Sequence, residues 1–177
     1  MKKILLAILA IMMCAWLLGC ETRKENGGSN TGKQYSVEEL KTIITSAYEK
    51  VADLPFVEIL EVDLTEVERV KMLTFLNNLD DVVTVVTGDA VIMTVPYTLV
   101  MIGVKEKADI EGLKKEIIDN ADLAKWICVF AEVAYVTDFD SVIVLVMGEK
   151  TLADNVYAAL EEVVGNFGKK LEKFGAN

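Results

Sequence analysis

The sequence predicts an α+β domain: a largely antiparallel sheet of four to five strands packed with helices, carried behind an N-terminal leader. Three observations lead there. Apolar residues recur at helical spacing in four separate stretches, at 36–51, 65–78, 109–118 and 151–171. Between them lie β-branched runs, at 81–105 and 125–147, whose period is that of strands. The second half then reads strand–strand–helix twice, and two hairpins that cannot bury their apolar faces alone are expected to join in one sheet with helices across it.

The first helix follows from Ser36-Val37-Glu38-Glu39, a capping box, and from Val37, Leu40, Ile43, Ile44, Ala47, Tyr48 and Val51 on one face. Asp53-Leu54-Pro55 stops it. In 56–64, Leu60, Val62 and Leu64 alternate with acids, as in a short strand. Thr65 to Glu68 repeats the capping-box pattern ahead of Val67, Val70, Leu73 and Leu76. Residues 81–105 form two or three short strands, punctuated at Gly88-Asp89 and Pro96. Asp109 caps a helix carrying Ile110, Leu113, Ile117 and Ile118. Strands are expected at 125–136 and 142–147, joined through "TDFDS". The first of them is apolar on both faces, which predicts a central position with both faces covered. A cap at Thr151 opens the last helix, with Val156, Leu160, Val163, Val164, Phe167 and Leu171 on its buried face.

Ahead of the domain, Met1-Lys2-Lys3 is a positive n-region and residues 4–18 are an uncharged apolar run of 15 residues. That length suits a signal peptide and falls short of the roughly 20 apolar residues a membrane-spanning helix needs. The run closes on Leu17-Leu18-Gly19-Cys20, which resembles the bacterial lipobox, although a smaller residue than Leu18 is commoner at that position. The resemblance implies cleavage between Gly19 and Cys20 and lipidation of the Cys20 sulfur. The expected organisation is therefore a leader over 1–20, a flexible linker over 21–35 and one domain over 36–177. The linker is rich in glycine, asparagine and charge, and as a coil it reaches about 20 Å. The same reading sorts the three cysteines. Cys14 leaves with the leader, Cys20 becomes a thioether, and Cys128 is the one thiol left.

Composition excludes several functions. Of 177 residues, 28 are acidic and 18 basic, and none is histidine. Residues 1–20 hold two lysines and no acid, so the remainder carries a charge of −12. Phosphate backbones repel such a body, and nucleic acid is not an expected partner. The lack of histidine removes the usual general base and the commonest metal ligand.

Four residues carry what chemistry the sequence offers. Cys128 lies in an expected strand between apolar neighbours, with no cation on its face, and reads as a buried structural thiol. Glu132 is a lone carboxylate in an apolar strand. It is a candidate general acid, although the simpler account is that its end of the strand reaches the sheet's rim or meets a lysine. Asp138 and Asp140 offer alternating oxygens, as a calcium ligand set does, but "TDFDS" lacks the glycine and distal glutamate of a calcium loop, and a hairpin turn accounts for it better.

From Val91 to Val164 the order of elements, with "VPYTLVMIGVKEKADIEGLKKEI" and "KWICV", is similar to small domains of Gram-positive lipoproteins known only as a domain of unknown function. The resemblance implies this fold and the lipid anchor, and no catalytic residues. The expected function is thus a non-catalytic binding or assembly module, lipid-anchored on the extracytoplasmic face of the cell membrane. The alternative is a carboxylate-based extracytoplasmic enzyme or small-ligand sensor. Expected partners are the membrane, through Cys20, and another protein or a second copy covering one apolar sheet face. No cofactor is expected.

Overall fold

The computed structural model describes residues 32–92, 94–126 and 128–175. The α+β class holds: six strands form one sheet, in the order β1-β2-β3-β5-β4-β6, with every neighbouring pair antiparallel. In chain order the elements are α1 (Val37–Tyr48), β1 (Val57–Glu61), α2 (Val67–Thr74), β2 (Val82–Ala90), β3 (Thr98–Val104), α3 (Ile110–Asn120), β4 (Val133–Phe139), β5 (Val142–Gly148), α4 (Lys150–Val164) and β6 (Leu171–Phe174).

The helices cover both faces. On one, α1 and α4 bring Leu40, Ile44, Val156 and Leu160 against Leu99, Met101, Val144 and Val146. On the other, Val70 and Leu73 of α2 and Ile117 of α3 meet Val100, Ile102, Ile143 and Leu145. Alternate residues of β3 and β5 therefore enter opposite cores, and every position of both strands is buried. This is why their sequences read as unbroken apolar runs. Each such side chain contributes roughly 1.5–3 kcal/mol on burial. The two hairpins meet through the β3–β5 pairing.

The central strands are thus β3 and β5, while the strand expected at 125–136 starts only at Val133 and lies next to the edge. Its partner explains the shift. The Asp140-Ser141 turn sets Phe139 opposite Val142, and Val133 then falls opposite Gly148, where β5 ends just before α4. Earlier residues have no partner strand to run beside, and 121–132 becomes a loop closed by Ala131 N–H donating to the Leu123 carbonyl (2.8 Å).

The sheet exceeds the expected strand count because Leu171, expected on the last helix, opens β6 instead. Gly165, at φ 91°, ends α4, and the chain doubles back along β4. Lys173 fixes the new edge by donating to the carbonyls of Asp119 (3.0 Å) and Ala121 (2.7 Å) at the C-terminus of α3. Gly88-Asp89 is not a turn but part of β2. A Cβ on Gly88 would lie 2.2 Å from the Tyr48 hydroxyl, so the glycine makes room for a buried tyrosine pair. In that pair the Tyr97 hydroxyl donates to Tyr48 Oη (2.9 Å), which donates to the Gly88 carbonyl (3.0 Å).

The capping box at Ser36 forms as expected, with Glu39 N–H donating to Ser36 Oγ (3.3 Å) and Ser36 N–H to Glu39 Oε2 (2.9 Å). The one expected at Thr65 does not. Asp63 takes the Thr65 N–H and hydroxyl for itself (both 2.8 Å), and α2 starts at Val67 without a side-chain cap. Nor does Thr151 cap α4, which begins one residue earlier. Among the described residues, no helix is long and apolar enough to cross a membrane.

Candidate functional site

Each carboxylate singled out by the sequence has a structural partner, and the three do not converge. Glu132 stands exposed just before β4, and its Oε2 accepts the Lys150 N–H (2.9 Å) at the start of α4. It supplies the helix cap expected of Thr151, and its charge sits where a helix N-terminus favours it. Asp138 projects from β4 toward α3. Its Oδ1 accepts from the Lys114 ammonium (2.5 Å), which is fully buried and also donates to Glu111 (2.8 Å). Beyond it the chain passes so closely that a Cβ on Gly168 would lie 2.1 Å from Asp138 Oδ1, and Gly168 N–H donates to the Asp138 carbonyl (2.7 Å). Asp140 occupies the β4–β5 turn at φ 46°, left-handed backbone that aspartate tolerates. Glu132 lies at the opposite end of β4 from Asp138 and Asp140, about 20 Å away for six strand residues. Among the described residues, no three acidic or cysteine side chains gather as metal ligands would.

Cys128 contradicts its expected burial. It is exposed, because it falls in the 121–132 loop rather than in a strand. Gly19 and Cys20, at the leader junction, lie outside the described residues, as does Ile127.

The ends of the sheet differ in character. At one end lie Glu61, Val82, Val104, Phe139, Val142 and Leu171; at the other lie Val57, Ala90, Thr98, Val133, Gly148 and Phe174. The chain enters the fold at the first. Three residues there, placed in the linker by sequence, form a strap. The Gln34 side chain donates to the Val104 carbonyl (3.0 Å), the Ser141 hydroxyl donates to the Lys33 carbonyl (2.5 Å), and the Tyr35 hydroxyl donates to Asp140 Oδ2 (2.7 Å). Burial, helped by the Asp140 carboxylate, pushes the Tyr35 phenol up to about 12. Tyr35 also meets Phe139 edge-on, with ring centroids 5.3 Å apart. Asp140 is therefore a fastening for the incoming chain.

At the far end large apolar side chains are left in solvent, beside both edges of the sheet. Phe56 is 73% exposed, Phe130 65% and Phe174 56%, with Val91 and Ile92 about half exposed. Phe56 and Val91 are tied together by Val91 N–H donating to the Phe56 carbonyl (2.9 Å). Across the end runs the 121–132 loop. Trp126 packs into the α2–α3 core, and Lys125 stacks on the Trp126 ring 4.8 Å away. Burial lowers the Lys125 pKa against the opposing pull of Asp89 at the end of β2. Between this loop and β6 lies an open groove of about 470 Å³, lined by Leu123, Phe130, Ala131 and Phe174, with Asp122, Glu132 and Lys173 at its polar positions. Sequence reasoning missed this end because it placed Phe130 inside a strand and assigned no role to Phe174. The one signal for Phe130 was its position between Cys128 and Glu132 in a run without strict alternation.

The fold is thus that of an antiparallel α+β domain with helices on both faces, fastened to its incoming chain at one end and apolar at the other. Comparison with protein-family models, with characterised proteins and with solved structures finds no match.

Proposed function

We propose that this protein is a lipid-anchored, extracytoplasmic binding or assembly module whose domain presents its far end to a partner. One observation carries the reading: the strap of Lys33, Gln34 and Tyr35 enters at one end of the sheet, and the exposed phenylalanines lie at the other, Phe56 beside β1, Phe174 in β6 and Phe130 beside it. A chain tethered through Cys20 is pulled from the strap end. The strap end is then the one nearer the anchor, and the apolar end is left free of it for a partner. The acidic body as a whole is repelled by anionic lipids, which keeps it off the headgroups.

The carboxylate-based enzyme or sensor draws less support. Glu132 caps α4, Asp138 is paired with Lys114, and Asp140 holds Tyr35, so no two of them face a common reacting centre. A second copy covering an apolar sheet face also loses its motive, because helices of the same chain lie on both faces.

The test uses the full chain in bacterial cells fed a labelled fatty acid. Wild type is expected to take up label and to lose its leader, and Cys20→Ala to do neither. Label retained by Cys20→Ala would remove the anchor from this reading. On protoplasts, a bulky membrane-impermeant maleimide is expected to modify Cys128, and protection of Cys128 without a partner would place the far end against the membrane instead.

A further inference from the structure

Building on the reading of the far end as the partner-facing one, we infer that the groove between the 121–132 loop and β6 receives a segment of another protein that carries a lysine or arginine among apolar residues. The groove sets two exposed phenylalanines beside two carboxylates. A cation is attracted to the face of an aromatic ring, and a carboxylate nearby supplies the full countercharge. The aliphatic stem of lysine or arginine packs on such rings while its head reaches the acid. Asp122 and Glu132 each spend one oxygen on a backbone N–H, of Ala124 and Lys150, and neither belongs to an ion pair among the described residues. The cation at the groove, Lys173, is held by the carbonyls closing α3 and offsets one of the two carboxylates, which leaves the lining one negative charge in excess.

Charge also decides against other occupants. Anionic lipid would bring phosphates toward these carboxylates. A second copy would set one acidic groove against another.

The experiment uses the mature chain anchored in zwitterionic nanodiscs and two synthetic probes, a leucine–lysine peptide and its leucine–glutamate counterpart. Binding is read by calorimetry and its place by the groove variants; Trp126 of the neighbouring loop, the one tryptophan once Trp16 leaves with the leader, reports contact of that loop with lipid. The lysine peptide is expected to bind saturably and to weaken as salt rises. Phe130→Ser with Phe174→Ser should weaken it about tenfold or more, as loss of central aromatic anchors does. Met72→Ser, which removes an exposed apolar side chain on α2, should leave it unchanged. Equal binding of the glutamate peptide, indifference to the double serine variant, or no saturable binding of the lysine peptide would each overturn the inference. So would quenching of Trp126 by brominated lipid in the discs, which would make the bilayer the occupant. Disc loading reads the anchor separately: a chain that stays out of the discs counts against lipidation, and the same titration in free solution still decides the groove.

Discussion

The buried pair between Lys114 and Asp138 yields the sharpest quantitative prediction. Lys114 is wholly buried and Asp138 is 19% exposed, with 2.5 Å between nitrogen and oxygen. At an effective dielectric near 20 their attraction is about 6–7 kcal/mol. Desolvating each ion costs several kcal/mol, so the net contribution of the intact pair is far smaller than that attraction. Removing one partner is different. Asp138→Asn leaves a buried ammonium whose remaining partner, Glu111, is 67% exposed. The expected loss is about 3 kcal/mol, the lower part of the range for a broken buried pair, because Glu111 stays within reach. Lys114→Met leaves a carboxylate that can draw in water, and should cost about 2 kcal/mol. The double variant should lose about 2 kcal/mol rather than the sum of about 5, an interaction energy near 3 kcal/mol. Urea denaturation of the four chains measures the cycle, and Asp138→Asn should lower Tm by roughly 6–12 °C. Additive single losses, or an Asp138→Asn loss within about 0.5 kcal/mol, the size of an ordinary surface change, would refute the reasoning.

Three further outcomes are expected. All five tyrosine phenols are raised above the ordinary value of 10, each first by burial, and Tyr35 reaches about 12. Between pH 10 and 12 the folded chain therefore holds protons that the unfolded chain has lost, so the tyrosines' contribution to stability is constant below pH 10 and falls as pH rises through that window. Phenolate absorbance should stay low at pH 10 until the chain unfolds, and Asp140→Asn should bring Tyr35 ionisation down; a phenol titrating at 10 in the folded chain would count against the buried network. Gly88→Ala should cost about 1–3 kcal/mol by chemical denaturation, since its Cβ meets the Tyr48 hydroxyl, and a neutral effect would show that the tyrosine pair yields freely. Cys128 should react with a thiol reagent in the folded chain as fast as after denaturation, and marked protection would restore the buried thiol that the sequence suggests.

What the sequence by itself determined is local. The capping box at Ser36, the helix opened by Asp109, the apolar faces of the other helices and the antiparallel α+β class are all legible, because periodicity and caps depend on residues within one or two turns of each other. The leader's lipobox likeness is legible for the same reason. Tertiary structure decided what depends on partners distant in the chain. Where β4 begins was settled by where β5 ends, and that turned Cys128 and Phe130 from core residues into surface ones. Leu171 became a strand residue because the chain turned at Gly165 and found the free edge of β4. The roles of Glu132, Asp138 and Asp140 were assigned by Lys150, Lys114 and Tyr35, between 18 and 105 residues away. A lone carboxylate looks the same in sequence whether it caps a helix, neutralises a buried lysine or holds a strap. Only the neighbour that folding brings to it distinguishes the three.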